Sequence, residues 1–296
     1  MLAGTACGAY WAATSPRRSA RWFRTVIADA RRQIPSAPVK PTPAAWSDNK
    51  ITVCWLGHAT VLIDFFGVRI LTDPALFNRI GIRTGFGVVG PKRYVGCALK
   101  PKELPPIDLI LLSHAHLDHM DLSSLAQVNA PILTAKDTGD ILPSGRQVTE
   151  LGWNERATLS FKSGDLEIRA IEVKHWGQRW PSERERGYNG YVLRREGRSI
   201  LFGGDTADTR LEVPGPIDAA IMPIGAYDPW IHNHCTPEQA LAMANSVRAK
   251  FIIPIHHQAY RLSNEPMNEP IERLVAALSR EPERLAIRRV GETWQA

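Results

Sequence analysis

From residue 51 onward, short runs of aliphatic and β-branched residues alternate with turns that contain glycine. Runs of this length and composition predict β-strands, and the runs between residues 51 and 74 lie close enough together to form hairpins at a sheet edge. The predicted strand segments are ITVCWLG (51–57), TVLIDFFG (60–67), VRILTDP (68–74), IDLILLS (107–113), PILTA (131–135), LEIRAIEVKH (166–175), YNGYVLRREG (188–197), RSILFGGD (198–205), IDAAIMPIG (217–225), KFIIPIHH (250–257) and RLAIRRV (284–290).

Helices are predicted between some of these strands. The segment TPEQALAMANSVRA (236–249) opens with Thr236 as an N-cap and Pro237 in the first turn. A second helix is predicted for EPIERLVAALSR (269–280), and DLSSLAQV (121–128) begins a shorter one. Because strands dominate and helices are interspersed, the sequence predicts an α/β fold with a sheet at its centre.

The first 45 residues differ from the rest. Residues 17–34, RRSARWFRTVIADARRQI, place apolar side chains at helical spacing and arginines on the other face, which predicts a basic amphipathic helix. The four prolines of PSAPVKPTPAA (35–45) then predict an extended linker. We therefore expect an N-terminal segment and linker at 1–45 and a catalytic domain at 46–296. The helix either packs on that domain, which we favour, or attaches to an anionic membrane surface.

Charge and cysteine content narrow the class of protein. The net charge of +6 permits an anionic partner, although six arginines among the first 32 residues supply much of the excess. The four cysteines are scattered and include no C-x-x-C pair, which favours a reducing compartment. No apolar run reaches the ~18 residues of a membrane span, and the first residues lack the features of a signal peptide. We therefore expect a cytoplasmic protein, with peripheral contact at the inner membrane face as the alternative.

Three histidines and two aspartates fall within SHAHLDHMD (113–121), directly after the aliphatic run IDLILL. The residues alone leave three interpretations open: a metal site, a general acid/base pair or a polar surface loop. His114 and His116 are two apart, so an extended segment directs both the same way, whereas Asp118 and His119 leave the next turn in different directions. Imidazole and carboxylate are ligands of zinc and also of iron or manganese, and their repetition here favours the metal site.

Single residues at the ends of other predicted strands extend this motif. His175, Asp205 and His256 each close a strand. Because the C-terminal ends of several strands can converge at one mouth of a layered fold, we expect these side chains to meet the histidine motif. The glycine-rich segment GIRTGFGVVGPKR (81–93) predicts a mobile loop near the site, with Lys92 and Arg93 either contacting an anion or belonging to a solvated turn.

The order H-x-H-x-D-H, a single histidine, GGDT and a late IPIH is similar to that of the metallo-β-lactamase superfamily. The segments CWLGHATVLID, ELPPIDLILLSHAHLDHMD, LFGGDTAD and IHHQAYRLSNEP resemble the branch that contains N-acylphosphatidylethanolamine-hydrolysing phospholipase D and, more distantly, the L-ascorbate-6-phosphate lactonases. The resemblance runs from about residue 52 to residue 270. It implies a four-layered αββα sandwich with a metal site at the mouth formed by the strand ends.

Carried over residue by residue, the resemblance implies two Zn²⁺ ions, with Mn²⁺ or Fe²⁺ as alternatives. One ion would have three histidine ligands, the other an aspartate and two histidines, and a further aspartate would bridge them. These ligands are His114, His116 and His175 for the first ion, Asp118, His119 and His256 for the second, and Asp205 as the bridge.

The same resemblance implies supporting roles for other residues. Asp73 would support ligand histidines, and His234 would contact a substrate phosphate. For His58, a packing role and a place on the floor of the site both remain open. His232 is interpreted as part of a surface loop, and His257 lies outside the ligand set. Asp121 is expected to cap the helix that follows it.

Two metals in one site would share a water, lower its pKa and present a bridging hydroxide as the nucleophile, while Asp118 receives or relays a proton. The resemblance to the phospholipase D branch implies a phosphodiesterase of the N-acyl phosphatidylethanolamine phospholipase D type, acting on a small-molecule or phospholipid substrate. A lactonase or carboxylic ester hydrolase for a small phosphorylated or acidic substrate is the main alternative. A nuclease is a further one, although no nucleic-acid partner is expected because no appended nucleic-acid domain is evident. In the superfamily that the sequence resembles, di-iron members carry glutamate in place of the second histidine of H-x-H-x-D-H, so the resemblance with His116 at that position implies no di-iron redox chemistry.

Overall fold

Fifteen strands form two sheets and a hairpin in the computed structural model, which describes residues 29, 31–85, 87–180, 182–213 and 215–296. The strands are β1 (Ile51–Gly57), β2 (Thr60–Phe65), β3 (Val68–Thr72), β4 (Ile82–Thr84), β5 (Gly87–Val89), β6 (Leu109–Leu111), β7 (Ile132–Ala135), β8 (Val148–Leu151), β9 (Arg156–Phe161), β10 (Gly164–Ile171), β11 (Gly190–Arg195), β12 (Arg198–Phe202), β13 (Ala219–Pro223), β14 (Phe251–Ile255) and β15 (Thr293–Gln295). Strands β4 and β5 form the separate hairpin.

Each sheet combines antiparallel hairpins with a parallel part. The first has the order β15-β1-β2-β3-β6-β7-β8, and the second has the order β14-β13-β12-β11-β10-β9. Strands β3, β6, β7 and β8 are parallel neighbours in the first sheet, as are β12, β13 and β14 in the second. Because neighbouring parallel strands end at the same edge, each sheet brings several loop starts to one side.

The two sheets share one apolar core. Val53 of β1 and Phe202 of β12 belong to the same cluster of buried side chains and are fully inaccessible to solvent. Tyr191 of β11 is also fully buried, and its hydroxyl donates a hydrogen bond to the Leu112 carbonyl of the other sheet at 2.9 Å. Burial on both faces explains why the central strands read as nearly continuous apolar runs in the sequence.

Helices pack mainly on the second sheet. Helices α2 (Pro237–Ser246) and α3 (Glu269–Ala277) share with that sheet an apolar cluster that includes Met222, Met243 and Leu274. Thr236 caps α2 as predicted, with reciprocal hydrogen bonds to Gln239. Among the described residues, no helix is both long and apolar enough to span a lipid bilayer. The α-helices are α1 (Leu122–Leu125), α2 (Pro237–Ser246) and α3 (Glu269–Ala277), and the 3-10 helices are Pro43–Ala45, Pro101–Glu103, Gly139–Ile141 and Pro282–Arg284.

The predicted α/β fold class is confirmed, but the strand predicted at 284–290 is wrong. That segment begins inside a 3-10 helix, and Leu285 makes one isolated bridge to Ile252. Leu285 and Ile287 are nonetheless buried, so their spacing reflects packing on the core without a strand partner. The last strand of the described chain is β15, which pairs with β1.

Two other stretches also differ from expectation. The glycine-rich segment predicted as a loop contains the paired strands β4 and β5. Strands β8 and β9 were not predicted, because β8 has only one buried residue and β9 alternates between half-buried and exposed residues without a strong apolar run.

The proline-rich segment 35–45 lies against the sandwich. Pro35 accepts a hydrogen bond from the Gly96 amide at 2.9 Å, and the Val39 amide donates to the Val290 carbonyl at 3.3 Å. The helix predicted at 17–34 lies outside the described residues, apart from residue 29 and residues 31–34.

Substituting Gly291 by alanine tests the contact that holds this segment. Gly291 has φ +91°, and a Cβ there would lie 1.8 Å from the Val39 carbonyl oxygen. Gly197 is the matched control, because it has φ +69° but open space around it. The backbone conformation alone should cost Gly197→Ala about 1–2 kcal/mol, and Gly291→Ala should lose clearly more in urea unfolding. Equal losses would contradict the packing described here.

Candidate metal centre

The ends of strands from both sheets supply the polar side chains of the centre. Asp73 follows β3 and His114 follows β6 in the first sheet. In the second sheet, Asp205 follows β12, His256 follows β14 and His175 lies beyond β10. The convergence expected from the sequence is therefore present at one edge of the sandwich.

A glycine allows the two sheets to approach at this edge. Gly204 has φ +58°, and a Cβ on it would lie 2.7 Å from Ser113 Cβ and 2.9 Å from the Asn189 carbonyl oxygen. The Asn189 amide also donates to the Ser113 carbonyl at 3.0 Å. Only a residue without a side chain fits this gap, and Asp205 is thereby brought against the histidine motif.

Three imidazoles form the first group of metal donors. His116 Nδ1 lies 2.7 Å from His114 Nε2 and 3.3 Å from His175 Nε2. Burial lowers the pKa of His116 and of His175 to about 3, and it holds the pKa of His114 well below its ordinary value. These rings are therefore neutral, which is the form that binds metal.

A second group forms around Asp118. His256 Nε2 lies 3.4 Å and His119 Nε2 3.6 Å from Asp118 Oδ2. His58 joins them, with its Nε2 3.0 Å from the same oxygen. Because burial lowers the pKa of His58 to about 3, the ring is neutral and donates a hydrogen bond to the carboxylate through Nε2. His58 therefore lies on the floor of the site.

Asp205 lies between the two groups. Its Oδ2 is 3.1 Å from His119 Nε2 and 3.2 Å from His256 Nε2 on one side. On the other side it is 3.8 Å from His175 Nε2 and 3.8 Å from His234 Nδ1. This is the position that a bridging ligand would occupy.

The carboxylates and imidazoles shift one another's pKa values. Burial by itself would raise the pKa values of Asp118 and Asp205, but the surrounding histidines outweigh it and hold both well below the usual range. Burial lowers the pKa of His119, yet the carboxylates of Asp205, Asp118 and Asp73 raise it well above its ordinary value. The same balance raises the pKa of His256 to about 9. The carboxylates thus attract positive charge strongly enough to hold protons on two buried imidazoles, and divalent cations satisfy the same requirement.

Buried atoms without hydrogen-bond partners show that the residues fit such cations. Nε2 of His119, Oδ1 of Asp205 and both ring nitrogens of His256 are buried and form no hydrogen bond. Buried polar atoms are seldom left unsatisfied, so their concentration here indicates a ligand. Imidazole nitrogen with carboxylate oxygen is a donor set suited to zinc, iron or manganese.

Asp73 holds two donor rings in position. Its carboxylate accepts hydrogen bonds from the Ser113 amide at 2.7 Å and from the Ser113 hydroxyl at 2.6 Å, and it lies 2.7 Å from His119 Nδ1. The same hydroxyl is 2.8 Å from His114 Nδ1. On the other side, His175 Nδ1 lies 2.8 Å from the Asn233 carbonyl oxygen. Such contacts orient metal-binding histidines and set their tautomers.

Backbone strain is concentrated in the same place. His58, Asp73 and His256 have φ values of 60°, 33° and 61°, which side-chain-bearing residues rarely adopt. Each costs on the order of 1–3 kcal/mol, which the surrounding packing must offset. At all three residues the positive φ accompanies a polar side chain that is buried within the site.

The remaining histidines occupy different positions. His234 is buried and stacks on His256, with the ring centroids 5.3 Å apart. His232 is exposed in the preceding turn. His257 is buried against Trp55, with centroids 4.4 Å apart, and belongs to none of the donor groups found among the described residues.

Two other predicted roles can be compared with the contacts. Asp121 accepts hydrogen bonds from the amides of Ser123 and Ser124 at the start of α1, as a helix cap does. Arg93 was a candidate anion contact, but it is fully buried, and its guanidinium donates to the carbonyls of Ala75 and Phe77. Arg93 therefore stabilises the fold beneath the site.

Sequence reasoning missed the residues that surround the donors. Arg179 donates to the carbonyls of Ala115 and Met120 at 2.6 and 3.0 Å, which holds the loop of the histidine motif. Trp176 packs on His116 with ring centroids 4.5 Å apart. Both follow His175 in KHWGQR, but only their proximity in space identifies their role. Trp176, Trp230, Ala226 and Leu262 line the cavity above the donors together with His116, Asp118, Asp205, His234 and His256.

The chain matches the Beta-lactamase superfamily domain over residues 69–257. It is 31% identical to N-acyl-phosphatidylethanolamine-hydrolyzing phospholipase D 1 of Caenorhabditis elegans, over 84% of this chain and 77% of the relative. A metal-dependent hydrolase of Ligilactobacillus salivarius is 30% identical over 73% of this chain and 90% of that protein. The structure of Igni18, a metallo hydrolase of Ignicoccus hospitalis, superposes with a TM-score of 0.62 at 20% identity, over 83% of this chain and 98% of that one.

The chain therefore belongs to the β-lactamase superfamily, and the resemblance seen in its motifs is confirmed. The two-sheet sandwich is the fold shared with the solved metallo hydrolase, and the buried histidine–carboxylate groups at its edge are candidate metal donors. This protein is a metal-dependent hydrolase of the metallo-β-lactamase superfamily.

Replacing His58 by phenylalanine tests its contact with Asp118. The variant keeps a ring but loses the N–H group that orients the carboxylate, so we expect affinity for a bound metal ion to fall about 10–100-fold in a chelator titration. His257→Phe is the matched control, because His257 is equally buried but stacks on Trp55. Similar affinities for the two variants would mean that His58 only fills space.

Metal removal should destabilise the folded protein. Ions that bind the native state but not the unfolded one contribute about 4 kcal/mol at a thousandfold excess over Kd. We expect chelation to lower the midpoint of thermal unfolding by several degrees and added Zn²⁺ to restore it, as measured by calorimetry. Ca²⁺ is the control, because it prefers all-oxygen sites and should restore little. An unchanged midpoint would contradict a metal centre.

Proposed function

We propose that this protein is a phosphodiesterase that depends on two zinc ions and hydrolyses phospholipids of the N-acyl phosphatidylethanolamine type. The observation that carries the proposal is that Trp176, Trp230 and Leu262 line the same cavity as the metal donors. A polar reaction centre beside aromatic and aliphatic side chains suits a substrate with a charged head and acyl chains.

The proposed ligand assignment follows the two donor groups. His114, His116 and His175 would hold one ion, and Asp118, His119 and His256 the other, with Asp205 contacting both. Zn²⁺ is the proposed ion, with Mn²⁺ or Fe²⁺ as substitutes that the same donors accept. When bound, the ions supply a Lewis-acid field that acidifies water and stabilises charge on the phosphoryl oxygens.

Asp118 would take up the proton released when water adds to phosphorus. Its carboxylate is buried and ionised, because His119, His256 and His58 hold its pKa well below the usual range against the effect of burial. His58 keeps one carboxylate oxygen in place through its 3.0 Å hydrogen bond. The step would form one P–O bond and break the P–O bond to the leaving oxygen, which would receive the proton from Asp118 and depart as an alcohol, leaving a phosphate-bearing product.

His234 would position the substrate. It is buried in the wall of the cavity, and its Nδ1 is oriented towards Asp205 without forming a hydrogen bond. Burial lowers the pKa of His234 to about 3, so the ring is neutral and can donate one hydrogen bond to a phosphoryl oxygen. Trp176 and Trp230 would cover the reacting group and exclude water other than the nucleophile.

The relative from Caenorhabditis elegans supports the substrate class, since its name describes hydrolysis of N-acyl phosphatidylethanolamine. We propose that the enzyme works in the cytoplasm on a small-molecule or phospholipid substrate, without a nucleic-acid partner. A lactone or carboxylic ester substrate and a nuclease activity are the competing outcomes of the test below.

Hydrolysis of N-acyl phosphatidylethanolamine by the zinc-loaded chain, followed by release of the phosphate-bearing lipid, is the direct test. Asp118→Asn should lower kcat about 10²–10⁴-fold, and His234→Ala should lower kcat/KM about 10²-fold. His232→Ala is the matched control, because this exposed histidine lies two residues away. Metal analysis should find two zinc ions per chain.

Three outcomes would contradict the proposal. Inactivity on this lipid and on bis-p-nitrophenyl phosphate would exclude a phosphodiesterase. Faster turnover of a lactone would point to an ester hydrolase, and cleavage of an oligonucleotide to a nuclease.

A further inference from the structure

The hairpin of β4 and β5 carries apolar side chains that are exposed in the described part of the chain. Ile82 is 43% exposed and Val89 47% exposed, and the register pairs them directly. Directly paired residues of an antiparallel hairpin project on the same face, so these two form one apolar face. Phe77, just before the hairpin, is 38% exposed.

The other face of the hairpin borders a cationic groove. Arg83 and Val88, paired in the register, line this groove of about 790 Å³. Among the described residues that line it there is no carboxylate. Arg79 donates to the Gly90 carbonyl, a bond to a neutral group that leaves its charge uncompensated. The cationic lining residues are Arg79, Arg83, Lys92, Lys100 and Lys102.

A second hollow continues the apolar face towards the metal centre. It has a volume of about 400 Å³ and shares Arg83 and Ser123 with the groove. Ile82 borders it together with Leu122 and Trp180, each 37% exposed. Five of the eight large hydrophobic residues exposed in the described part of the chain thus surround this hairpin.

The base of the hairpin is fixed to the core. The backbones of Arg79 and Lys92 pair in an isolated antiparallel β-bridge, and the Arg93 amide donates to the Asn78 carbonyl at 2.9 Å. The Tyr260 hydroxyl donates to the Phe77 carbonyl at 2.9 Å. The base of the hairpin is therefore fixed to the core, while Ile82 and Val89 on the hairpin itself remain exposed.

The N-terminal segment is a poor occupant of this surface. Arg32 donates to the carbonyls of Lys92 and Arg93, so the chain preceding it begins beside the groove. That segment is rich in arginine, and like charges repel it from a cationic groove.

We propose that the β4–β5 hairpin docks the protein on the surface of an anionic phospholipid bilayer. Arg79, Arg83, Lys100 and Lys102 would contact lipid phosphates, whereas the Lys92 ammonium group donates to the Arg32 carbonyl. Ile82, Val89 and Phe77 would enter the boundary between headgroups and acyl chains. A nucleic acid would satisfy the cations but would leave the apolar face in water, so a bilayer is the better match. The inference rests on the proposed phospholipid substrate, which docking would bring to the metal centre.

Sedimentation of the full-length protein with lipid vesicles tests the proposal. Binding is expected to vesicles of phosphatidylcholine mixed with phosphatidylglycerol, and it should weaken when phosphatidylglycerol is omitted or salt is raised. Arg83→Gln should weaken partitioning about fivefold, and the double variant Ile82→Ser/Val89→Ser at least about tenfold. Val275→Ser is the matched control, because Val275 is 38% exposed on α3 and lines neither hollow.

Thermal unfolding of each variant establishes that it folds. Equal binding by the hairpin variants and the wild type would overturn the proposal, as would preference for an oligonucleotide over anionic vesicles. Vesicle binding without lipid hydrolysis would refute the proposed function and leave docking intact. Hydrolysis of detergent-dispersed lipid without vesicle binding would refute docking and leave the proposed function intact.

Discussion

The attraction between buried carboxylates and imidazoles is the interaction on which the centre depends. Asp73, Asp118 and Asp205 are each at most 4% exposed, and an unpaired carboxylate at such depth would be strongly destabilising. Asp73 and Asp118 belong to the half of the chain that forms the first sheet, whereas Asp205 comes from the second. The histidines that surround Asp205 come from both halves. Separating the sheets would therefore expose the core and also leave these charges without partners.

Much of the site could be predicted from local sequence. His114, His116, Asp118 and His119 fall within six residues, and the strands that precede Asp205 and His256 are strongly apolar. These residues are then expected to converge at one edge of the sandwich, because neighbouring parallel strands end on the same side of a sheet. His58 could not be assigned in this way, because its partner Asp118 is 60 residues away and a single histidine in a strand–turn segment carries no local signal. The close approach of Gly204 likewise depends on a second sheet that sequence spacing does not describe.

The errors have physical causes of the same kind. The apolar residues of 284–290 predicted a strand. Their alternate burial requires only that the chain be extended against the core, whereas a β-strand also requires hydrogen bonds to the free edge of another strand. Arg93 was expected either to contact an anion or to belong to a solvated turn, yet it is buried among backbone carbonyls. Because every residue carries a backbone carbonyl, the sequence does not reveal which carbonyls such an arginine will contact. Local patterns thus predict which segments are buried better than they predict what each polar group contacts.

The order of the strands has a consequence for biosynthesis. β1 is among the first strands to leave the ribosome, but its neighbour β15 is formed by residues 293–295. The donors are spread in the same way, from His58 to His256. A nascent chain therefore carries the local motif of four donors long before the rest, and such a partial set binds metal weakly and without defined geometry. The full donor set is consequently assembled only after synthesis has passed His256, so the order of translation and the order of site formation differ.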